Sequence, residues 1–307
     1  GLADVAPAVL DMDPRHHERL YDAMDQALLG HNHVKSALDN ACWDLHGKAA
    51  NQPVCDLLGG RIDGAVPLIS SIGSDTPDAM RTNVATHRAQ GFRGHSVKIG
   101  TVEADGGPSM DAARIEACLS DRQPGEWFLA DANNGMTPEQ VLRLLNLLPQ
   151  GLDFVLEAPC ATWVQTQSLR ARCTVPILLD ELAQTDADII QAISQNTCDG
   201  IGLKISKQGG LTPTLRQMNI CRAAGLVVSI QETTGSDIAF AAILHLAQAT
   251  PRHILRCALD TRSMVSFTTA DFDAPIVNGG ATAPPPPGLG ISPRMDVLGT
   301  PTAIYTI

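Results

Sequence analysis

Three acidic residues close three successive apolar runs: Asp131 in WFLADANNG, Glu157 in FVLEAP and Asp180 in PILLDE. A lysine closes the run on either side of them, Lys98 in GHSVKIG and Lys204 in GIGLKIS. Carboxylates gathered at one point repel unless a cation neutralises them, and an oxygen-only donor set suits a hard ion such as Mg2+. Such a cation, with open positions, can hold a substrate carboxylate and stabilise the charge that develops as an α-proton leaves. The lysines beside it are natural acid and base groups. Neighbouring positive charge pushes an ammonium toward the lower pKa that a base needs.

Something must carry these five residues to one place. Successive members lie roughly 23–33 residues apart, the span of one strand plus a crossover helix. The C-terminal ends of consecutive parallel strands are where a βα barrel assembles its site. Side chains alternate faces along a strand, so Ser96 shares a face with Lys98, Leu129 with Asp131, Val155 with Glu157, Leu178 with Asp180 and Gly202 with Lys204. Each residue alone has a plainer reading: Asp131 starts the DANNG turn, and Glu157 or Asp180 pairs with a surface lysine. Recurrence in five successive units favours the site.

Helical periodicity covers 13–30 and 33–49, the second with Val34, Ala37, Leu38, Ala41, Cys42 and Leu45 on one apolar face. From residue 65 the pattern alternates apolar strand and amphipathic helix, with strand ends at Ser71, Lys98, Asp131, Glu157, Asp180, Lys204, Gln231 and about Leu259. Thr137 with Gln140 has capping-box spacing, and Gly225 suits a helix C-terminus. The alternation predicts an α/β fold, a (β/α)8-type TIM barrel in its modified (β/α)7β form. An open doubly wound sheet is the alternative, disfavoured because no Gly-rich phosphate loop follows any strand. The expected organisation is a capping region over 1–64, the barrel over 65–262 and a C-terminal segment over 263–307. The Pro/Gly-rich stretch ATAPPPPGLGISP is expected to lie extended over another part of the molecule.

A net charge of −11 without a basic stripe excludes nucleic acid as a partner, and no apolar run reaches the length of a membrane span. Eight scattered cysteines without a CxxC pair suit buried thiols in a reducing cytoplasm.

These residues resemble the enolase superfamily in its mandelate racemase and muconate lactonizing branch. The likeness runs along nearly the whole chain, through SALDNACWDLHGKAANQPVCDLLGG, LADANNG, LEAP, LLDE, LKISKQGG and GLGISPRMDVLG in that order. It implies an α+β capping domain, Mg2+ held by Asp131, Glu157 and Asp180, and Lys98 and Lys204 as acid/base catalysts on opposite faces of a small carboxylate substrate. A homo-oligomer is expected as well. The lysine base facing Mg2+ is a documented pattern of that superfamily. It also implies a β-rich capping segment ahead of GLADVAPAVLD, which reads as the middle of an element. One departure stands out: the branch's Lys-x-Lys on the second strand is Ser96-Val97-Lys98 here.

The segment SIQETTGSDIAFAAILHLAQATP resembles members of the branch that act on proline derivatives, the cis-3-hydroxy-L-proline dehydratases before the betaine epimerases. Stereochemistry supports elimination. In the cis isomer the α-hydrogen lies opposite the hydroxyl, so anti loss of water needs a base on one face and an acid on the other. The expected reaction yields Δ1-pyrroline-2-carboxylate; racemisation or epimerisation of an N-modified amino acid is the alternative. A barrel that binds a metabolite without catalysis is a further one. Ser96, Asn133, Glu181, Gln231 and Glu232 are candidate substrate or outer partners. His95 and His245 are expected to be structural, Asp237 to cap a helix, and Lys207, the one rival to Lys204, to be a loop residue.

Overall fold

The computed structural model describes residues 1–306. Eight strands, β1 (Val66–Ile72), β2 (Gly94–Lys98), β3 (Trp127–Asp131), β4 (Val155–Glu157), β5 (Ile177–Leu179), β6 (Gly200–Lys204), β7 (Val227–Gln231) and β8 (Leu255–Leu259), pair in parallel in chain order. β8 also pairs with β1, closing the barrel. Ahead of it stand α1 (Leu2–Val9), α2 (His17–Ala27), α3 (Asn32–Ala50) and α4 (Val54–Leu57). The crossovers are α5 (Pro77–Ala89), α6 (Gly107–Leu119), α7 (Pro138–Leu147), α8 (Trp163–Arg170) and α9 (Asp186–Ser194). After β6 come a short α10 (Ile205–Gln208) and α11 (Leu211–Ala224), and α12 (Asp237–Ala249) precedes β8. β8 is followed by a 3-10 turn, Thr261–Met264, where an eighth crossover helix would stand, so the barrel is (β/α)7β.

Local chemistry sets these boundaries. Thr137 and Gln140 form both bonds of a capping box, as do Thr185 and Asp188 at α9, satisfying backbone donors that a helix start leaves free. Gly225 ends α11 in the left-handed region. Strand parity divides the core in two. Ile69, Leu129, Leu178, Cys257 and Leu259 cluster inside the barrel, beneath the strand ends. Val97, Ala130, Leu156, Leu179 and Leu203 face outward into the larger core shared with the helices. All eight cysteines are free thiols, and six of them are buried.

Two expectations need correction, and one helix adds to the periodic segments: α1, where Val5 packs with Tyr21 and Met24 against Val34 and Leu38 of α3. Helix α3 does not bury the Val34–Leu45 stripe; Leu45 is 54% exposed. It buries Lys35, Ser36, Asp39, Trp43 and Gly47 instead. Its buried face meets α10 and the polar start of α11, while Val34 and Leu38 pack only partly, against Val5, Tyr21 and Met24. Asp39 accepts from the Thr212 amide at 2.9 Å and from its hydroxyl at 2.5 Å, and Trp43 Nε1 donates to Thr212 Oγ1 at 2.9 Å. Asp237 does not cap α12; Ser236 does. Asp237 instead accepts from the Thr269 amide at 2.6 Å and hydroxyl at 3.0 Å, tying the chain beyond β8 to α12.

The Pro/Gly-rich stretch runs extended along the foot of α3. The Leu289 amide donates to Asp44 at 2.8 Å, the Gly288 amide to the Gln52 carbonyl at 3.0 Å and the Val54 amide to the Gly288 carbonyl at 2.9 Å. Gly47 permits this approach, since a Cβ there would lie 2.6 Å from the Gly288 Cα. Among the described residues no helix is long and apolar enough to cross a membrane.

His245 on α12 is fully buried, and its Nδ1 accepts the Cys55 amide at 3.1 Å, joining α4 to the barrel. Burial pushes its pKa down from 6.5 to about 4. Because the unfolded chain binds this proton more tightly, stability is full above pH 6.5 and falls as pH drops toward 4. The expected loss between pH 7 and pH 5 is about 2 kcal/mol from this residue alone. Urea unfolding at the two pH values measures it, and His245→Gln is expected to reduce the difference by about that amount, leaving the part due to His17 and His95.

Candidate active site

The barrel register sets the charged residues side by side. Lys98 on β2 lies level with Asp131 on β3, Asp131 with Glu157 on β4, and Lys204 on β6 with Gln231 on β7. Asp180 stands one residue beyond the end of β5. β2 and β6 are four strands apart in either direction around the ring, so Lys98 and Lys204 face each other across the mouth. Asp131, Glu157 and Asp180 are all nearly excluded from solvent, at 3%, 2% and 1% exposure.

Each carboxylate has a partner. Lys98 Nζ pairs with Asp131 Oδ2 and donates to Asn133 Oδ1 at 2.9 Å, while the Asn133 amide donates to Asp131 Oδ1 at 2.9 Å. Gln231 Nε2 donates to Glu157 Oε1 at 3.0 Å. Gly202, inward-facing on β6, makes room for this pair: a Cβ there would lie 3.1 Å from Glu157 Oε1. Lys204 Nζ lies 2.5 Å from Asp180 Oδ2, an ion pair off the line of a hydrogen bond.

A cavity of about 200 Å3 opens over these groups, lined by Ser96, Lys98, Asp131, Glu157, Lys204, Gln231 and Glu232, with Ser71, Thr233 and Met264 around them. Asp180 adjoins it through Lys204. Asn133 and Glu181 stand at its edge, bonded to each other at 3.2 Å. Glu232 is engaged by the chain itself, accepting from the Ser206 amide at 3.0 Å, the Thr233 amide at 2.8 Å and the Ser206 hydroxyl. A larger groove of about 800 Å3 runs outside the joint of α2, Trp43 and α11. It is distant from the strand ends and holds no comparable set of acids and lysines.

Lys207, expected in a loop, belongs to this constellation. It sits on α10, and its Nζ donates to the Asp180 carbonyl at 2.8 Å and pairs with Asp180 Oδ1. The signal was present in LKISKQGG: three residues after Lys204, one helical turn returns a side chain to the same side. His95 is structural, bonded to Ser70 Oγ at 3.0 Å on the outward face of β2.

The electrostatics are those of a cation site. Burial, then Asp131 and Asp180, raise the pKa of Glu157 well above the ordinary carboxylate value. Burial works to lower the pKa of Lys204, but Asp180, Glu157 and Glu181 outweigh it and hold the ammonium above 10.5. With no cation beside it, the lysine is thus held charged by the carboxylates. Among the described residues no three side chains stand ready in ligating geometry, and the lysines and Gln231 pair with the carboxylates. The donor chemistry still fits a hard divalent cation: three buried carboxylates of adjoining strands, one of them strained by the other two.

Comparison with known proteins agrees. Residues 79–297 match the enolase C-terminal domain-like family, and residues 2–59 match the mandelate racemase / muconate lactonizing enzyme N-terminal domain. The chain belongs to the mandelate racemase / muconate lactonizing enzyme branch of the enolase superfamily. A cis-3-hydroxy-L-proline dehydratase from Roseibium aggregatum is 37% identical over 306 residues, which cover 100% of this chain and 82% of the relative. An N-succinyl-L-Arg/Lys racemase from Bacillus cereus is 25% identical, covering 96% of this chain and 78% of the relative. A solved member of the branch from Roseovarius nubinhibens ISM, complexed with magnesium, is 63% identical with a TM-score of 0.95, covering 98% of this chain and 83% of that one. The enolase-type fold thus extends to this chain, whose barrel is (β/α)7β, and the superfamily to which it belongs uses a divalent metal.

Proposed function

We propose that this enolase-superfamily enzyme is a Mg2+-dependent dehydratase converting cis-3-hydroxy-L-proline to Δ1-pyrroline-2-carboxylate. The observation that carries the reading is the placement of Lys98 and Lys204 on strands four apart, facing each other over a small cavity lined by Asp131 and Glu157. Asp131, Glu157 and Asp180 would hold the cation. Its contribution when bound is electrostatic, stabilising the negative charge that grows on the substrate carboxylate.

The lysines move the protons. One, as the neutral amine, takes the α-proton from one face of the ring. The other, as the ammonium, gives a proton to the hydroxyl leaving from the opposite face. The C–H and C–O bonds break, a C=C bond forms, and water departs; the enamine product tautomerises to the cyclic imine. Neutralising Asp180 and Glu157 removes the main influences that keep Lys204 charged, so burial then favours the neutral amine. The small cavity suits a five-membered ring better than a dipeptide. Ser96, where the branch commonly has a second lysine, leaves fewer cations in the cavity. It fits a substrate whose amine is itself positively charged.

Epimerisation of an N-modified amino acid is the second reading, favoured by the same two-lysine geometry and by the likeness to the Bacillus cereus racemase. Incubation with Mg2+, hydroxyproline isomers and proline betaines in deuterated water separates the two. Release of water with formation of the cyclic imine from the cis-3-hydroxy isomer is the expected result. Deuterium at an inverted α-carbon without loss of water would replace dehydration by epimerisation.

A further inference from the structure

Lys207 occupies a place that the proposed proton transfers do not use. Its side chain is 10% exposed, and its Nζ meets two acceptors on one residue, the main-chain carbonyl and Oδ1 of Asp180. A donor shared by a residue's own carbonyl and carboxylate locks that side chain against its backbone, because turning it would break one of the two bonds. The second carboxylate oxygen, Oδ2, is left toward Lys204.

Helix α10 is itself held from two sides. Asn32 Nδ2, on α3, donates to the Lys207 carbonyl at 2.9 Å, and the Tyr21 hydroxyl, on α2, donates to the Gln208 carbonyl at 3.3 Å. Toward the barrel, Gln208 Nε2 donates to the Ala183 carbonyl at 3.0 Å, just beyond β5. The capping helices therefore hold the backbone that carries Lys207, and Lys207 holds Asp180.

We propose that Lys207 is a positioning residue that aims Asp180 Oδ2 into the mouth and supplies the one positive charge by which three carboxylates exceed a divalent cation. This rests on reading Asp131, Glu157 and Asp180 as the cation site. The charge balance explains why the site carries a third lysine. Lys207 has no contact with the substrate position; its effect passes through Asp180 alone.

Titration calorimetry of Mg2+ binding to the full chain tests this without any turnover. Lys207→Met and Lys207→Gln are expected to weaken Mg2+ binding by about 10–100-fold, the range for removing the partner of a ligating group. Lys207→Arg, which keeps a cationic donor, is expected to recover most of that loss. A merely space-filling role would be satisfied by Met and would give the opposite order. If Lys207→Met does not fold by circular dichroism, Lys207→Gln, which can still donate a hydrogen bond, carries the comparison. Unchanged Mg2+ affinity in the folded variants overturns the role of Lys207. Absence of Mg2+ binding by the wild-type chain overturns the cation site itself.

Discussion

Replacing either Lys98 or Lys204 by Ala is expected to lower kcat by about 10²–10⁴-fold, the range that positioned proton transfer supplies. The loss is expected for each lysine singly. They stand on β2 and β6, across the ring from each other, so neither reaches the ring face served by the other. Mg2+ affinity is expected to survive in both variants, because Lys98 and Lys204 each pair with a carboxylate oxygen of Asp131 or Asp180 without bridging it to that residue's own carbonyl, as Lys207 does. Steady-state kinetics paired with calorimetry reads both quantities. Near-normal dehydration by Lys98→Ala would end the two-face mechanism and leave Ser96 or a water as the second proton carrier.

Glu157→Gln is expected to separate stability from metal binding. In the metal-free protein the Glu157 charge is opposed by burial first, then by Asp131 and Asp180. A neutral isostere removes that opposition and can still accept from Gln231, so the metal-free variant is expected to be at least as stable as wild type. Ligand linkage acts the other way: Mg2+ at 100 times its Kd stabilises a folded protein by about 2.7 kcal/mol. Wild type is expected to show that gain over an EDTA-treated sample, and Glu157→Gln to show almost none at the same Mg2+ concentration. Denaturation with and without Mg2+ measures both. A variant that loses stability without metal, yet keeps the Mg2+ increment, would remove Glu157 from the cation site.

What could be read from the chain alone follows from how locally each feature is specified. Strand ends and inward faces depend on period-two alternation and on turn residues close in sequence, so the positions of Lys98, Asp131, Glu157 and Lys204 at the barrel mouth were legible. Capping at Thr137 is equally local. Features decided by a distant partner were not. The buried face of α3 runs through Asp39 and Trp43 instead of the apolar stripe, and the Thr212 that Asp39 bonds lies 173 residues away. Asp237 has the composition of a cap, but Thr269, 32 residues on, claims its carboxylate. Lys207 was misplaced for a related reason: four residues are too few to display helical periodicity, and its partner Asp180 lies 27 residues back. The charge state of Lys204 depends on a partner outside the sequence: without a cation Asp180, Glu157 and Glu181 hold it charged, and the expected lowering applies with the cation bound.

The central claim is Mg2+-dependent removal of the α-proton, and α-deuterated cis-3-hydroxy-L-proline tests it most directly. The account predicts that the deuterium passes to solvent as water is lost and the cyclic imine forms. It also predicts that the reaction stops when EDTA is added and resumes when Mg2+ is restored. Turnover that retains the α-deuterium, or that continues undiminished in EDTA, would contradict it.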